Sequence, residues 1–183
     1  MRGTIKMISV LTVIGLISGI SLALVYNYAS PLIEKNQNKK TEQAIFTIFP
    51  EGKKYTASGI KEENVFKVTD GKGCLLGLAF LAEGNGYQGT IKIMAGIKTD
   101  LKTLIGIEIL ESQETPGLGQ EITENNFKEQ FKNLSTVPEI IYIKNVKPTK
   151  PNEIEAITGA TISSRAVVAI LNDEIKEINE RVK

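Results

Sequence analysis

Histidine and tryptophan occur nowhere in the 183-residue chain, and Cys74 is its one cysteine. These gaps remove whole classes of chemistry. Without histidine there is no Ser-His-Asp triad and no His-ligated haem or zinc. A lone cysteine supplies neither a four-cysteine iron–sulfur cluster nor an internal disulfide. Redox work by this chain therefore has to rest on an organic cofactor. Cys74 itself lies in an apolar run, the setting of a buried, inert thiol rather than a reactive one. An excess of either charge is also lacking: 22 basic residues face 21 acidic ones. That balance gives no electrostatic case for nucleic acid. The length suits one domain plus an attachment.

Charge is missing altogether from Met7 to Tyr28, a run of mainly Ile, Leu, Val, Ala, Ser and Gly. In a helix rising about 1.5 Å per residue, about 20 such residues cross a hydrocarbon core of roughly 30 Å. Arg2 and Lys6 precede the run, and Tyr26 and Tyr28 fall where an interfacial aromatic belt belongs. A cleaved signal peptide has the same charged start, but a shorter apolar core and small residues around the cut. Here the run ends in VYNYASPL, with Asn27 where alanine is preferred, so it reads as a retained membrane helix. Gly15 and Gly19 form a GxxxG within it, compatible with close helix contact but common in apolar helices. Arg2, Lys6 and the terminal amine favour a cytoplasmic N-terminus, opposed by Lys35, Lys39 and Lys40. The balance leans only slightly toward an extracytoplasmic C-terminal domain.

After Pro31 the apolar residues Ala44, Ile45, Ile48 and Phe49 are spaced for a short amphipathic helix that ends before Pro50 and Gly52. The expected organisation is an anchor over residues 1–30, an amphipathic linker helix over 31–54 and a globular domain over 55–183. Within that domain, strands are expected at Val65–Thr69, Cys74–Ala82, Thr90–Ile97, Leu104–Leu110 and Glu139–Lys144. A helix is expected from Thr123, as N-cap, to Phe131, with Phe127 and Phe131 on one face. A final amphipathic helix over 164–182 carries Val167, Leu171, Ile175, Ile178 and Val182 along one stripe. The fold class is α+β: a mostly antiparallel sheet with a C-terminal helix, behind an N-terminal transmembrane helix.

GNGYQG, residues 84–89, matches the dinucleotide-binding pattern G-x-G-x-x-G. That pattern has meaning only after a strand and at the opening of a helix. Here CLLGLAFLA precedes it and the alternating TIKIMAGIK follows, so the glycines join two strands in a hairpin. Protein kinases also place such a loop between strands, but their H-R-D loop requires a histidine.

Two other stretches are more informative. In ESQETPGLGQE, Pro116 fixes φ while Gly117 and Gly119 permit close backbone approach, so that Leu118 is presented on a tight loop. This is either a plain strand-to-helix turn or a bare surface for a flat aromatic ligand. In ITGATISSRAVV, Gly159 and Ala160 leave the backbone open just before the last helix. Thr161, Ser163 and Ser164 place hydroxyls in its first turn, where N–H groups lack intrahelical partners. Such a start favours a phosphate, and it equally suits a simple N-cap by Thr161 or Ser164.

TGAT followed by ISSRAVV, together with ETPGLG and the upstream GYQGTI, resembles the FMN-binding domain in the G subunit of electron-transport complexes. That family is the membrane-anchored flavin subunit of Rnf-type ferredoxin:NAD oxidoreductases. The C subunit of the sodium-pumping NADH:quinone oxidoreductase is similar but typically longer. The resemblance covers essentially the whole chain and implies that Thr161 carries FMN through a phosphoester bond, attached by a flavin transferase that uses FAD. Thr158, Gly159 and Ala160 complete the acceptor motif. Glu114, Thr115, Pro116, Gly117, Leu118 and Gly119 match the motif beside the isoalloxazine, with Leu118 expected against the ring and the glycine amides bonding polar atoms nearby. Ser163 and Ser164 become candidates for phosphate or ribityl contacts. The family commonly has a histidine just ahead of ETPGLG, where this chain has Ser112 and Gln113, so a role tied to that histidine does not carry over.

The function so implied is an electron-relay subunit rather than a self-sufficient enzyme, since no NAD or ferredoxin site and no acid–base pair is recognisable. Its partners would be the other subunits of a membrane complex coupling ferredoxin:NAD electron flow to Na+ or H+ transport. The chain would span the cell inner membrane once, N-terminus in the cytoplasm and FMN domain outside it. Two alternatives remain at this point: an anchored covalent-FMN domain of another reductase or sensory system, and a flavin-free assembly protein in which TGAT is a cap and ETPGLG a turn.

Overall fold

The computed structural model describes residues 2–59 and 64–182. The chain divides into two compact units, Met1–Lys40 and Thr41–Lys183. The first is formed by the leading part of helix α1 (Arg2–Ile48). Every side chain from residue 3 to residue 28 is exposed, including Leu11, Leu16, Leu22 and Val25. A helix that is apolar on all sides and exposed is suited to lipid rather than water. Two of its hydroxyls bond back within the helix: Ser9 Oγ donates to the Ile5 carbonyl at 3.0 Å and Thr12 Oγ1 to the Ile8 carbonyl at 2.9 Å. Among the described residues, this is the one helix long and apolar enough to cross a membrane. The amphipathic helix expected over 31–54 is not a separate element: α1 runs through Pro31 and on to Ile48. Proline removes one backbone donor and so costs the helix one hydrogen bond, without ending it here.

The second unit opens with the last turns of α1. Ala44, Ile45, Ile48 and Phe49 are buried, as their spacing predicts, and the helix stops at Ile48 ahead of Pro50. The compact unit thus begins at Thr41, upstream of residue 55 where the globular domain was expected to start. Five strands follow: β1 (Lys54–Ala57), β2 (Val65–Thr69), β3 (Leu75–Asn85), β4 (Thr90–Ile97) and β5 (Leu104–Ser112). They form an antiparallel meander in the order β1-β2-β3-β4-β5. The bounds of β2 and β4 are those expected; β3 and β5 run further toward their C-terminal ends, and β1 was not foreseen. Cys74 does not behave as its apolar surroundings suggest. It sits before β3, exposed, with its N–H donating to Asp70 Oδ1 at 2.8 Å. The Asp70 turn, with Gly73 at φ 87°, claims the backbone there and turns the thiol outward.

The alternating period of the strands feeds two cores. On one face Phe80, Ala82, Ile91, Ile93, Ala95 and Ile97 pack with Val167, Leu171, Ile175 and Ile178. On the other, Val68, Ala79 and Met94 pack with Ala44, Ile45, Ile48 and Phe49. Gly96 makes the second contact possible, since a Cβ there would lie 2.5 Å from Ile48 Cγ2 and 2.7 Å from a ring carbon of Phe49.

The helix expected over 123–131 is replaced by a 3-10 turn (Gly119–Thr123), a short helix α2 (Asn125–Lys128) and a second 3-10 turn (Glu129–Phe131). Thr123 does not cap it. Its hydroxyl donates back to the Gln120 carbonyl at 2.8 Å, and the N-cap position falls to Glu124 in extended geometry. Phe127 and Phe131 are nevertheless buried together, rings edge to face at 5.3 Å. Strands β6 (Ile141–Ile143) and β7 (Glu153–Glu155) form a parallel pair, and α3 (Thr161–Val182) closes the unit. The side chain of Val182, the last of the predicted stripe, lies outside the described residues.

Candidate functional site

Two loops meet at the start of α3. The first follows β5. Pro116 and Gly117 turn the chain, Gly117 with φ 73°, and the Leu118 N–H and Gln120 N–H both donate to the Thr115 carbonyl, at 3.2 and 3.1 Å. A left-handed residue at this point is cheap only for glycine. Leu118 is left 50% exposed, as a presented side chain should be.

The second loop precedes α3. The Ala160 N–H donates to the Ile157 carbonyl at 3.0 Å, closing a turn whose third residue, Gly159, has φ 85°. Ser164 staples this turn from inside the helix: its hydroxyl donates to the Ala160 carbonyl and accepts the Ile157 N–H, each at 3.0 Å. Helix α3 then begins at Thr161 itself. The Ser164 N–H bonds the Ala160 carbonyl at 3.0 Å. The N–H groups of Thr161, Ile162 and Ser163 have no partner among the described residues, as the geometry of a helix start dictates. The Thr161 hydroxyl likewise makes no hydrogen bond there.

The loops enclose a cavity of about 430 Å³ lined by Tyr87, Glu114, Thr115, Leu118, Gly119, Gly159, Ala160, Thr161, Ile162 and Ser163. That size is within the range of small-molecule and cofactor sites. At Gly159 the left-handed φ of 85° is what favours glycine; a Cβ there would make only an ordinary contact with Leu118 Cδ2 at 3.5 Å. Exposed Tyr87, Leu118 and Ile162 supply apolar surface around a helix start rich in unpaired donors.

Most of the predicted site residues converge here, but in different roles. Glu114, Thr115, Leu118, Gly119, Gly159, Ala160, Thr161 and Ser163 line the cavity. Gly117 and Thr158 line a larger, more polar cleft of about 1190 Å³ that does not include Thr161. Pro116 lines neither. Ser163 and Ser164 are buried, and both hydroxyls are already spent on protein groups: Ser163 Oγ donates to Glu114 Oε2 at 2.6 Å, and Ser164 holds the turn. Of the hydroxyls proposed to meet a phosphate, Thr161 alone both lines the cavity and lacks a partner. Ser112, one of the two residues just ahead of Glu114, accepts the Glu114 N–H on its hydroxyl at 3.4 Å.

Tyr87 is the residue that sequence reading placed elsewhere. The GNGYQG segment is indeed a hairpin, closed by the Gly86 N–H to Gly89 carbonyl bond at 2.7 Å. Its tip nevertheless folds onto the first loop, where Thr115 Oγ1 and Gln88 Oε1 are 2.5 Å apart, and this sets Tyr87 on the cavity wall. Ile162 was missed too. The one available signal was that each of these large apolar residues stands beside a small or polar motif residue, off any buried stripe.

An antiparallel meander, a helix starting on a threonine and a glycine loop beside it define the class. This is an FMN-binding domain, and the model of the FMN-binding domain family matches residues 86–176, from the hairpin tip into α3. The fold is shared with solved structures. That of NqrC from Shewanella oneidensis aligns with TM-score 0.59 at 23% identity, covering 72% of this chain and 70% of that one. The C subunit of the Na+-translocating NADH-quinone reductase of Parabacteroides distasonis aligns with TM-score 0.57 at 24% identity, covering 65% and 62%. The likeness narrows further in sequence. The G subunit of the ion-translocating oxidoreductase complex of Methanosarcina acetivorans is 30% identical over 182 residues, covering 95% of this chain and 94% of that protein. The G subunit of the proton-translocating ferredoxin:NAD(+) oxidoreductase complex of Clostridium ljungdahlii is 29% identical over 168 residues, covering 92% and 88%. The chain belongs to the family of G subunits of ion-translocating oxidoreductase complexes.

Proposed function

We propose that this protein is the membrane-anchored electron-relay subunit of an Rnf-type complex and carries FMN covalently, as a phosphoester on Thr161. The observation that carries this reading is the state of the Thr161 side chain. It is the one aliphatic hydroxyl on the cavity wall that lacks a partner among the described residues, on the first residue of a helix whose leading N–H groups have no acceptor there either. An esterified oxygen at that position leaves the remaining phosphate charge where free donors and the helix dipole favour it. Leu118, Tyr87 and Ile162 offer apolar surface for the ring system, beside the glycine turn at Gly159. When bound, the flavin supplies the electron-accepting and electron-donating chemistry that no side chain here possesses.

Attachment is the work of a flavin transferase using FAD. The Thr161 oxygen forms the new P–O bond, the pyrophosphate bond breaks, AMP leaves, and the hydroxyl proton passes to a base of the transferase. The apolar α1 tethers the domain in the inner membrane as a single pass, N-terminus cytoplasmic and FMN domain outside. It packs there against polytopic partner subunits that couple ferredoxin:NAD electron flow to Na+ or H+ transport.

The test is the mass and in-gel fluorescence of the denatured chain, wild type and Thr161→Ala, each produced beside a flavin transferase of demonstrated activity. A fluorescent wild-type band heavier by one FMN less water, absent from the variant, is the expected result. A wild-type chain without adduct would sink the proposal and return TGAT to the role of a helix cap.

A further inference from the structure

Glu114 brings a carboxylate inside the protein, with 5% of the residue exposed. No ammonium or guanidinium pairs with it among the described residues. Its oxygens instead accept hydrogen bonds from two directions. Oε1 takes the backbone N–H of Tyr87 at 2.7 Å and of Gln88 at 3.1 Å. Oε2 takes the Ser163 hydroxyl at 2.6 Å. These donors belong to the hairpin tip and to the first turn of α3, two walls of the cavity, while Glu114 itself stands in the third. The surroundings are cut to admit the group. A Cβ on Gly86 would fall on Oε1, and one on Gly119 would lie 2.5 Å from Oε2. Burying a charge is costly, and an apolar residue would fill this volume at lower cost. What an apolar residue lacks is the capacity to accept donors from several segments at once.

We propose that Glu114 is the positioning residue of this site, its carboxylate tying the hairpin tip that carries Tyr87 to the first turn of α3 and so fixing the cavity in which Thr161 receives its flavin. The proposal rests on the reading of Thr161 as flavin carrier. Glu114 acts through Tyr87 and Ser163, not by contact with the reacting atoms. Geometry and charge are separable. In Glu114→Gln the amide oxygen still accepts the two backbone N–H groups, and its NH2 donates to Ser163 Oγ, whose proton turns aside. In Glu114→Ala the tie is cut.

The experiment uses the full-length chain in detergent, with FAD and an active flavin transferase. It reads two quantities: the initial rate of fluorescent adduct formation, and amide hydrogen exchange at Tyr87 and Gln88 before loading. Loss of the tie in Glu114→Ala slows loading by about tenfold or more and speeds exchange at both amides by a similar factor, as expected for a lost charged hydrogen bond. Glu114→Gln stays within about threefold of wild type in both, because its bonds are retained in weaker form. Loading of Glu114→Ala at the wild-type rate, or equal impairment of the Gln and Ala variants, would overturn the proposal. If Glu114→Ala loses exchange protection in β4 and hence its fold, Ser163→Ala replaces it. That variant removes one donor alone and should slow loading by about threefold or more; an unchanged rate overturns the tie. A wild-type chain that takes no flavin refutes the Thr161 assignment instead. The exchange data still decide the tie in that case, since slow exchange at both amides in wild type and fast exchange in Glu114→Ala require it, and equal exchange denies it.

Discussion

Two buried glutamates in this protein accept the same set of donors with opposite reach, although Glu153 also pairs with the Lys150 ammonium at 3.4 Å while Glu114 has no cation beside it among the described residues. Glu153 Oε2 accepts the Thr149 and Lys150 N–H groups at 3.0 and 3.1 Å and the Thr149 hydroxyl at 3.2 Å. Glu114 also accepts two backbone N–H groups and one hydroxyl. The partners of Glu153 lie three or four residues away, so its carboxylate shapes a single turn ahead of β7. Those of Glu114 lie 26 to 49 residues away and belong to separate elements. The same acceptor chemistry organises a turn when its donors are local and assembles a site when they are not. Loop closure makes the second arrangement the harder one to form, since the chain between the partners has to be ordered first.

Crowding the long-range carboxylate should have the largest effect. In Gly119→Ala the new methyl meets Glu114 Oε2 at 2.5 Å and Ser163 Oγ at 2.6 Å. The far end of a glutamate would normally swing aside, but this one is held by its hydrogen bonds. We expect a loss of about 3 kcal/mol in urea unfolding, the upper part of the overpacking range, and a flavin-loading defect at least as deep as that of Glu114→Ala. A loss under about 1 kcal/mol would mean that the carboxylate is free to move. Removing the carboxylate in Glu114→Ala should cost less, about 2 kcal/mol, because Ser163 can turn its proton to another acceptor and the hairpin-tip amides lie near water. Gly117→Ala sharpens the contrast with Gly119. Nothing lies within 4 Å of its missing Cβ, and only its φ of 73° resists a side chain. About 1 kcal/mol is expected from that backbone strain alone, and loading should stay close to wild type.

The difference in reach also explains what could be read before the fold was in hand. β2 and β4 stood at their observed bounds in the alternation of VFKVT and TIKIMAGI, because a strand's period is a property of its own residues. TGAT at a helix start and Gly117 at a turn were legible for the same local reason. The convergence of Tyr87, Gln88, Glu114 and Ser163 was not, since no local pattern announces a carboxylate that closes three segments. The same limit turned GYQG into mere punctuation, although its tip reaches the cavity. Local signals also misled where a competing bond intervened. Phe127 and Phe131 are spaced as on a helix, but the Thr123 hydroxyl bonds back to Gln120 and the segment breaks into single turns. Cys74 sits in an apolar run, but the Asp70 turn takes its N–H and leaves the thiol outside.

The smallest expected effect belongs to the local carboxylate, and its signature is in pH rather than in the site. Glu153 is held below the ordinary glutamate value, chiefly by the Thr149 N–H, against the opposing pull of burial and with help from the Lys150 N–H, the Thr149 hydroxyl and the Lys150 ammonium. A carboxyl whose folded value is lowered binds its proton less readily in the folded chain than in the unfolded one. It therefore adds stability at pH above the ordinary glutamate range, and that contribution fades as the pH falls through the lowered folded value. Glu153→Gln removes the titration. The difference in melting temperature between wild type and variant should hold steady from neutral pH to about 5 and shrink below it. Flavin loading at neutral pH should be unaffected, because this glutamate ties nothing beyond its own turn. A difference that stayed constant down to about pH 2 would show that the hydrogen bonds do not depend on the charge. A loading defect in Glu153→Gln would show that the turn before β7 reaches the acceptor loop, and the division between local and long-range carboxylates would fail.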